Sequence, residues 1–127
     1  MSDKLGDNNK LPLDGIRVIE FSHMVMGPSA GLLLADLGAD VIVVHREKPS
    51  PLLGGAGATI LDRGKRSVVL DLKAPGDAEQ FRNLAASADG LIEGFRPGVM
   101  ERLGMGPDVL MGLNPALVYG RMTGWGQ

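Results

Sequence analysis

The chain of 127 residues contains no cysteine, and this absence excludes several kinds of chemistry. Without thiols the protein has no disulfide bond, no thiolate ligand for a metal and no cysteine nucleophile. The absence also fits a reducing compartment. Any catalysis must therefore depend on other groups.

An excess of positive charge and a long hydrophobic run are also absent. Thirteen Lys and Arg face fifteen Asp and Glu, the formal net charge is −2, and the basic residues are spread along the chain. This balance gives no indication of a surface for nucleic acid or anionic membrane. No apolar run approaches the roughly 18 residues that span a bilayer, and the start MSDKLGDNNK lacks the apolar region of a secretory signal. We therefore expect a soluble, cytoplasmic protein that binds neither nucleic acid nor membrane.

The length of the chain is typical of one domain. Residues 1–12 have little apolar content and are predicted to form a flexible lead-in, whereas residues 13–127 are predicted to form one domain. Nineteen glycines and eight prolines fall between the apolar segments, so they are interpreted as turn and cap residues.

The apolar segments predict alternating strands and helices. Strands are predicted at 16–21, 40–44, 67–72, 90–93 and 116–120, and helices at 27–37, 75–88, 99–103 and 109–113. The first three elements form a β-α-β unit, whose right-handed crossover makes the pairing parallel. The order predicts an α/β fold with an open, doubly wound, Rossmann-like and mainly parallel sheet. Ligands are expected beyond the carboxyl ends of the strands.

The turn after the first strand reads SHMVMGPSAG. It contains only Gly27 and Gly31, with Pro28 between them, so the dinucleotide fingerprint G-x-G-x-x-G fails and a typical NAD or FAD site is not expected. One interpretation is a plain connection from strand to helix. The other is that its small residues leave room for an extended ligand over the helix N-terminus. A second ligand-handling segment is the loop 45–63, which is rich in glycine and proline and has no period.

The two histidines, His23 and His45, are candidates for a general base at neutral pH. Neither has a carboxylate or serine partner at a recognisable spacing. A binding role is open for His23 at the end of the first strand, but an ordinary loop histidine is favoured. His45 is interpreted as structural.

Cations lie near the predicted strand ends. Arg46 follows the second strand, Arg96 and Arg102 follow the fourth, and three more flank the start of the third: Arg63, Lys65 and Arg66. We expect them at one edge of the sheet, where a ligand with several phosphates would need them. The alternative, favoured by composition alone, is a set of solvated surface cations.

Three stretches carry a resemblance to a known family: PLDGIRVIEF with LLLADLGADVIVV, then RGKRSVVLDLK, and finally IEGFRPGVMERLGMGP with LVYGRMTGWGQ. From Leu13 to Gln127 the chain resembles the amino-terminal part of the family III CoA-transferases, also called the CaiB/BaiF family. The last stretch is more similar to the α-methylacyl-CoA racemase branch. The resemblance implies a truncated CoA-binding domain from a larger fold with interlocked dimers, which lacks the small domain and the C-terminal return.

The resemblance also implies a ligand and its site. In the family the arginine after the second strand contacts coenzyme A, and that position is Arg46. The segment that frames the adenosine part is matched by Leu70, Asp71, Leu72 and Lys73. Positions that contact the phosphates and pantetheine are matched by Gly94, Phe95, Arg96 and Arg102. Coenzyme A enters as part of an acyl-CoA substrate, and no covalently bound cofactor or metal is expected.

The catalytic residues of the family are expected downstream of Gln127. Racemases place a Gly-His-Asp segment and a further aspartate there as two bases, and transferases use an aspartate as nucleophile. The preferred hypothesis is the acyl-CoA-binding part of an α-methylacyl-CoA racemase, with CoA transfer between carboxylic acids as the alternative. A non-catalytic CoA- or nucleotide-binding module, or half of a split protein, is a third. We expect the chain alone to be inactive and the full-length parent to be a homodimer.

Overall fold

The computed structural model describes residues 10–21, 26–46 and 60–126. Its strands are β1 (Arg17–Phe21), β2 (Asp40–His45), β3 (Arg66–Val69), β4 (Gly90–Glu93) and β5 (Val118–Arg121). Its α-helices are α1 (Met26–Asp36), α2 (Pro75–Ala86), α3 (Val99–Arg102) and α4 (Pro107–Leu113). A short 3-10 helix (Ile60–Asp62) precedes β3.

The five described strands form one parallel sheet in the order β3-β2-β1-β4-β5. The chain starts in the middle, winds outward to β3, and then crosses back to β4 on the other side of β1. This is the doubly wound arrangement, so the predicted α/β fold class is confirmed. The strand order reverses between β1 and β4, and a crevice forms where connections leave toward opposite faces.

One face of the sheet is covered by α1. Leu34 and Ala35 of the helix pack against a small cluster around Val18 and Val41. The buried helix positions are Gly27 and Gly31. Leu33 of the helix is 65% exposed, because the glycine side of the helix approaches the sheet.

The helix α1 stops where the sequence predicts a left-handed residue. Gly38 has φ +105°, its N–H donates to the carbonyl of Ala35, and the N–H of Ala39 donates to the carbonyl of Leu34. These two bonds are the Schellman closure of a helix end. The turn delivers the chain directly into β2 at Asp40.

The opposite face carries the main core. Phe81 and Ala85 of α2, Met100 of α3 and Leu110 of α4 are buried with Ile19 of β1. The prediction that α2 turns Phe81, Leu84, Ala85 and Ala88 inward agrees with this cluster, in which Leu84 is partly buried.

Two predicted strands differ from the structure by two or more residues at one end. The third was predicted to reach residue 72, but β3 ends at Val69, because Leu70 and Leu72 turn into the main core. The fifth was predicted to start at residue 116, but β5 starts at Val118. Asn114 causes this delay, since its side-chain amide donates to the carbonyls of Ala85 and Ala88 and its backbone carbonyl accepts from Leu117.

Candidate functional site

Aromatic rings lie at the carboxyl ends of β1 and β4, at the switch point where this fold class places its ligand. Phe21 ends β1, and Phe95 follows β4 by two residues. Their ring centroids lie 4.6 Å apart in an edge-to-face arrangement, and Phe81 of α2 lies 5.4 Å from Phe21. Parallel strands place their carboxyl ends at one edge, so the rings form an apolar floor at the edge where ligands of this fold class bind. Phe21 and Phe81 are fully buried in this floor, and Phe95 is its partly exposed ring.

Arg46 stands over this floor. It is the residue after β2, and its guanidinium carbon lies 4.3 Å from the centroid of Phe95 and 5.9 Å from that of Phe21. A stacked guanidinium uses its flat face against the ring and keeps its in-plane N–H groups for an oxygen ligand. Arg46 is therefore an exposed cation held against the Phe95 ring at the carboxyl edge of the sheet.

The turn after β4 brings two more predicted cations to this region. Gly98 adopts φ +89°, which lets the chain turn from Arg96 into α3. A Cβ at Gly98 would lie 3.1 Å from Nη1 of Arg102, so that guanidinium folds back over the turn. Arg96 is exposed on the same turn, one residue after the ring that Arg46 contacts.

Glu93 anchors the start of this turn. It is only 1% exposed, and its Oε2 accepts from the N–H of Phe95 at 2.9 Å, whereas its Oε1 accepts from Nε of Arg121 at 2.8 Å. Arg121 also donates through Nη2 to Oε1 of Glu101 at 2.6 Å. The Glu93 hydrogen bond is the main reason that the pKa of Arg121 is raised.

Two further groups around Arg121 have shifted pKa values. The pKa of Glu101 is lowered, first by its own backbone N–H and then by Arg121. Burial, with the charge of Glu93 as a second cause, raises the pKa of Tyr119, whose hydroxyl donates to the carbonyl of Met105 at 2.9 Å. Tyr119 therefore serves as a neutral hydrogen-bond donor.

The segment after β3 presents alternating side chains. Leu70 and Leu72 are buried in the main core, whereas Asp71 and Lys73 are exposed. Asp71 accepts from the N–H of Lys73 at 3.0 Å, and its own N–H donates to Asp77 of α2 at 2.9 Å. Side chains of the two leucines are turned away from solvent, so only their backbone could frame a ligand.

The cations that flank the start of β3 lie elsewhere, and their expected place beside Arg46 is wrong. They precede or begin a parallel strand, so they start from its amino end and not from the carboxyl edge. Arg63 pairs with Asp36 at 2.7 Å and Arg66 with Asp40 at 2.6 Å. These two arginines are engaged with carboxylates of α1 and β2.

Lys65 has a buried partner. Its Nζ donates to Oε1 of Glu20 at 2.6 Å and to the carbonyl of Pro28 at 2.8 Å, and both charged side chains are only 2% exposed. Burial raises the pKa of Glu20 although Lys65 opposes the shift. Lys65 therefore holds the first turn of α1 against β1 and has no exposed charge to offer a ligand.

The histidines add no acid–base centre that the structure describes. His23 lies outside the described residues, as does most of the predicted loop 45–63. The backbone carbonyl of His45 accepts from the N–H of Leu70 at 2.8 Å, which extends the β2–β3 ladder. This contact involves only the backbone of His45, so the structural interpretation of its side chain stays a prediction.

Within residues 10–21, 26–46 and 60–126, no carboxylate forms an ion pair with Arg46, Arg96 or Arg102. Arg17, Arg63, Lys65, Arg66 and Arg121 do form such pairs. In the same ranges there is no cluster of three side chains suited to a metal ion and no helix long and apolar enough to cross a bilayer. Ion pairs with described carboxylates thus distinguish these five cations from Arg46, Arg96 and Arg102, although the charge of Arg102 contributes to the lowered pKa of Glu101.

Glu93 and Arg121 were missed by the sequence reasoning. The signal available was a glutamate at the last position of a strand predicted to be buried, which needs a partner in the fold. Its partner lies 28 residues further along the chain, and no spacing rule connects the two.

A doubly wound sheet with cations and aromatic rings at its switch point is typical of proteins that bind phosphate-bearing carriers. Residues 13–127 match the family model described as CoA-transferase family III, and the chain belongs to that family. The resemblance stated from the sequence is thereby confirmed.

Named relatives carry two kinds of activity. The chain is 46% identical over 115 residues to the alpha-methylacyl-CoA racemase of Mus musculus, covering 91% of this chain and 29% of that protein. It is 42% identical to the succinyl-CoA–L-malate CoA-transferase beta subunit of Chloroflexus aurantiacus, covering 96% and 33%. The crystal structure of Rv3272 from Mycobacterium tuberculosis superposes with a TM-score of 0.82 at 42% identity, covering 92% and 35%. The chain thus spans about a third of the length of these relatives.

Proposed function

We propose that the chain binds the coenzyme A part of an acyl-CoA at the carboxyl edge of β1, β2 and β4. The observation that carries the proposal is the position of Arg46, whose exposed guanidinium lies 4.3 Å from the centroid of the Phe95 ring at the carboxyl edge of the sheet. Arg96 and Arg102 lie on the turn that begins at that ring. Three cations are the set that a diphosphate and a 3′-phosphate require. The backbone of residues 70–73 would frame the adenosine, with Asp71 and Lys73 as its exposed side chains.

The whole protein is proposed to be an α-methylacyl-CoA racemase. Its reaction exchanges the proton on the carbon next to the thioester by two-base catalysis, with an enolate-like intermediate held by oriented donors. The bases belong to the region that the resemblance implies beyond Gln127. The similarity to the mouse racemase supports this proposal.

CoA transfer between carboxylic acids is the second candidate. It is supported by relatives named as transferases, among them the Chloroflexus aurantiacus subunit at 42% identity. Both reactions require that coenzyme A is bound, so the proposed binding site is compatible with racemisation and with transfer. We also propose that the full-length protein is a homodimer, whichever of the two reactions it catalyses.

Titration of coenzyme A into the purified protein by calorimetry tests the binding site. Arg46→Ala and Arg102→Ala should each weaken binding by about 1.5–3 kcal/mol, because each removes a charged contact to phosphate. This is roughly a 10- to 150-fold rise in Kd. Arg63→Ala is the matched control, since Arg63 is an exposed arginine paired with Asp36 and lies away from the crevice. Equal affinities for all three variants and the wild type would refute the site.

Deuterium incorporation from D₂O into a 2-methylacyl-CoA, measured with the full-length protein, distinguishes racemisation from transfer, because racemisation exchanges the proton next to the thioester. The 127-residue chain alone should give neither exchange nor transfer, because the implied bases and nucleophile lie outside it. Turnover by this chain contradicts that expectation.

A further inference from the structure

Glu93 is a buried carboxylate whose two oxygens bind two different elements. At 1% exposure it needs charge-compensating partners, and it has Arg121 of β5 on Oε1 and the N–H of Phe95 on Oε2. Its position as the last residue of β4 places it at the switch point of the sheet. No oxygen of Glu93 is exposed for a ligand, so any role in binding must act through the residues it holds.

The bond to Phe95 sets the ring on which Arg46 stacks. Gly94 continues the β1–β4 ladder, since its N–H donates to the carbonyl of Phe21 at 3.3 Å, and Phe95 is the next residue. The bond from its amide to Glu93 fixes the backbone where the chain leaves the ladder. With the amide held, the ring meets Phe21 at 4.6 Å and the guanidinium of Arg46 at 4.3 Å. The orientation of Arg46 therefore depends on Glu93, although Arg46 follows β2 and Glu93 ends β4.

Arg121 keeps Glu93 in place. Its side chain is 22% exposed, and it binds Glu93 through Nε and Glu101 of α3 through Nη2. One guanidinium thus ties both ends of the turn that carries Arg96. Without Arg121, the buried carboxylate of Glu93 would lose its charged partner and keep the bond to the amide of Phe95.

We propose that Glu93, with Arg121 as its counter-ion, is a positioning residue for coenzyme A, which sets the Phe95–Arg46 stack without touching the ligand. This inference rests on the proposed function and adds a residue that the resemblance did not assign. It predicts that Glu93 affects affinity only while Arg46 is present.

A double-mutant cycle tests the coupling. Coenzyme A is titrated into the wild type, Glu93→Gln, Arg46→Ala and the double variant. Glu93→Gln should raise Kd about 5- to 10-fold in the wild-type background and less than about 2-fold in the Arg46→Ala background. Glu101→Gln is the matched control, because Glu101 binds the same guanidinium but not the amide of Phe95, and its Kd should stay within about 2-fold. Equal losses from Glu93→Gln in both backgrounds would indicate a general structural effect and overturn the proposal.

A measurement without ligand separates this inference from the proposed function. The side-chain protons of Arg46 above the Phe95 ring should show a ring-current shift by NMR, and Glu93→Gln should remove it. An unchanged shift overturns the positioning role whatever coenzyme A does. A lost shift in a protein that binds no coenzyme A supports the positioning role and refutes the binding function. If Glu93→Gln does not fold, Arg121→Lys carries both measurements, because it keeps a cation beside Glu93 but removes the guanidinium that bonds Glu93 and Glu101 together. The same changes in Kd and in the ring-current shift are then expected, in smaller size, and their absence overturns the proposal.

Discussion

At the scale of single residues, the buried charges explain why certain small residues stand where they do. Glu20 and Lys65 are both 2% exposed, and they occupy the space between β1 and α1. Breaking a buried pair by removing one partner usually costs more than the pair itself contributes. The helix can approach this pair only where it has no side chain.

Gly31→Ala tests this close approach. A Cβ at Gly31 would lie 1.8 Å from Oε1 of Glu20, which Lys65 holds in place, so the helix or the ion pair must move. We expect the free energy of unfolding to fall by about 3 kcal/mol, measured by urea denaturation. Gly112→Ala in α4 is the control, because nothing lies within 4 Å of its Cβ, and it should be neutral or slightly stabilising. Equal stability of both variants would show that α1 does not pack as described.

At the scale of elements, one aspartate joins the amino ends of three strands. Asp40 of β2 accepts from Nε of Arg17 in β1 at 3.2 Å and from Nε and Nη2 of Arg66 in β3 at 2.9 and 2.6 Å. The bidentate bond to Arg66 is the first cause that lowers the pKa of Asp40, and burial only partly opposes it. The adjacent strands β1, β2 and β3 are thus held in register by charge as well as by their backbone ladder.

The lowered pKa of Asp40 predicts a dependence of stability on pH. The folded protein keeps Asp40 ionised to lower pH than the unfolded chain does, so its contribution is complete above the ordinary value of 3.8 and is lost as pH falls through the folded pKa. The difference in unfolding free energy between wild type and Asp40→Asn should be largest above about pH 4 and shrink toward pH 2. Because the side chain is 37% exposed, we expect a difference of at most about 1 kcal/mol.

Urea denaturation between pH 2 and pH 6 provides the measurement. Glu79→Gln serves as control, since Glu79 is an exposed carboxylate on α2 without an ion pair to a described residue. If the difference in unfolding free energy between wild type and Asp40→Asn increased as the pH fell, the lowered pKa of Asp40 would be contradicted.

At the scale of the whole molecule, the two faces of the sheet are covered unequally. Three described helices pack over the main core on one face, and α1 packs over the cluster around Val18 on the other. Val118 of β5 shares the face of Val18, to which it is linked through Gly90, and it is 72% exposed. In the part of the chain that the structure describes, the cover of this face does not extend to β5.

Strand order predicts a gradient of local stability across the sheet. The central strand β1 is paired on both sides and buried, whereas β3 stands at an edge with mostly exposed residues. Amides of Val18 to Phe21 should exchange with solvent most slowly, and those of β3 much faster. Native-state hydrogen exchange followed by NMR checks this gradient. Equal protection in β1 and β3 would contradict the described sheet order.

The amino-acid sequence by itself determined the order of strands and helices, the parallel doubly wound class and the glycine that ends α1, because these depend on local periodicity and on backbone freedom. It also indicated Arg46, Arg96 and Arg102, whose contact with coenzyme A stays a prediction. Only the tertiary structure decided which cations share an edge: it separated Arg63, Lys65 and Arg66 from that set. It also paired Glu93 with Arg121. Such partners lie tens of residues apart, and only the order of strands in the sheet brings them together.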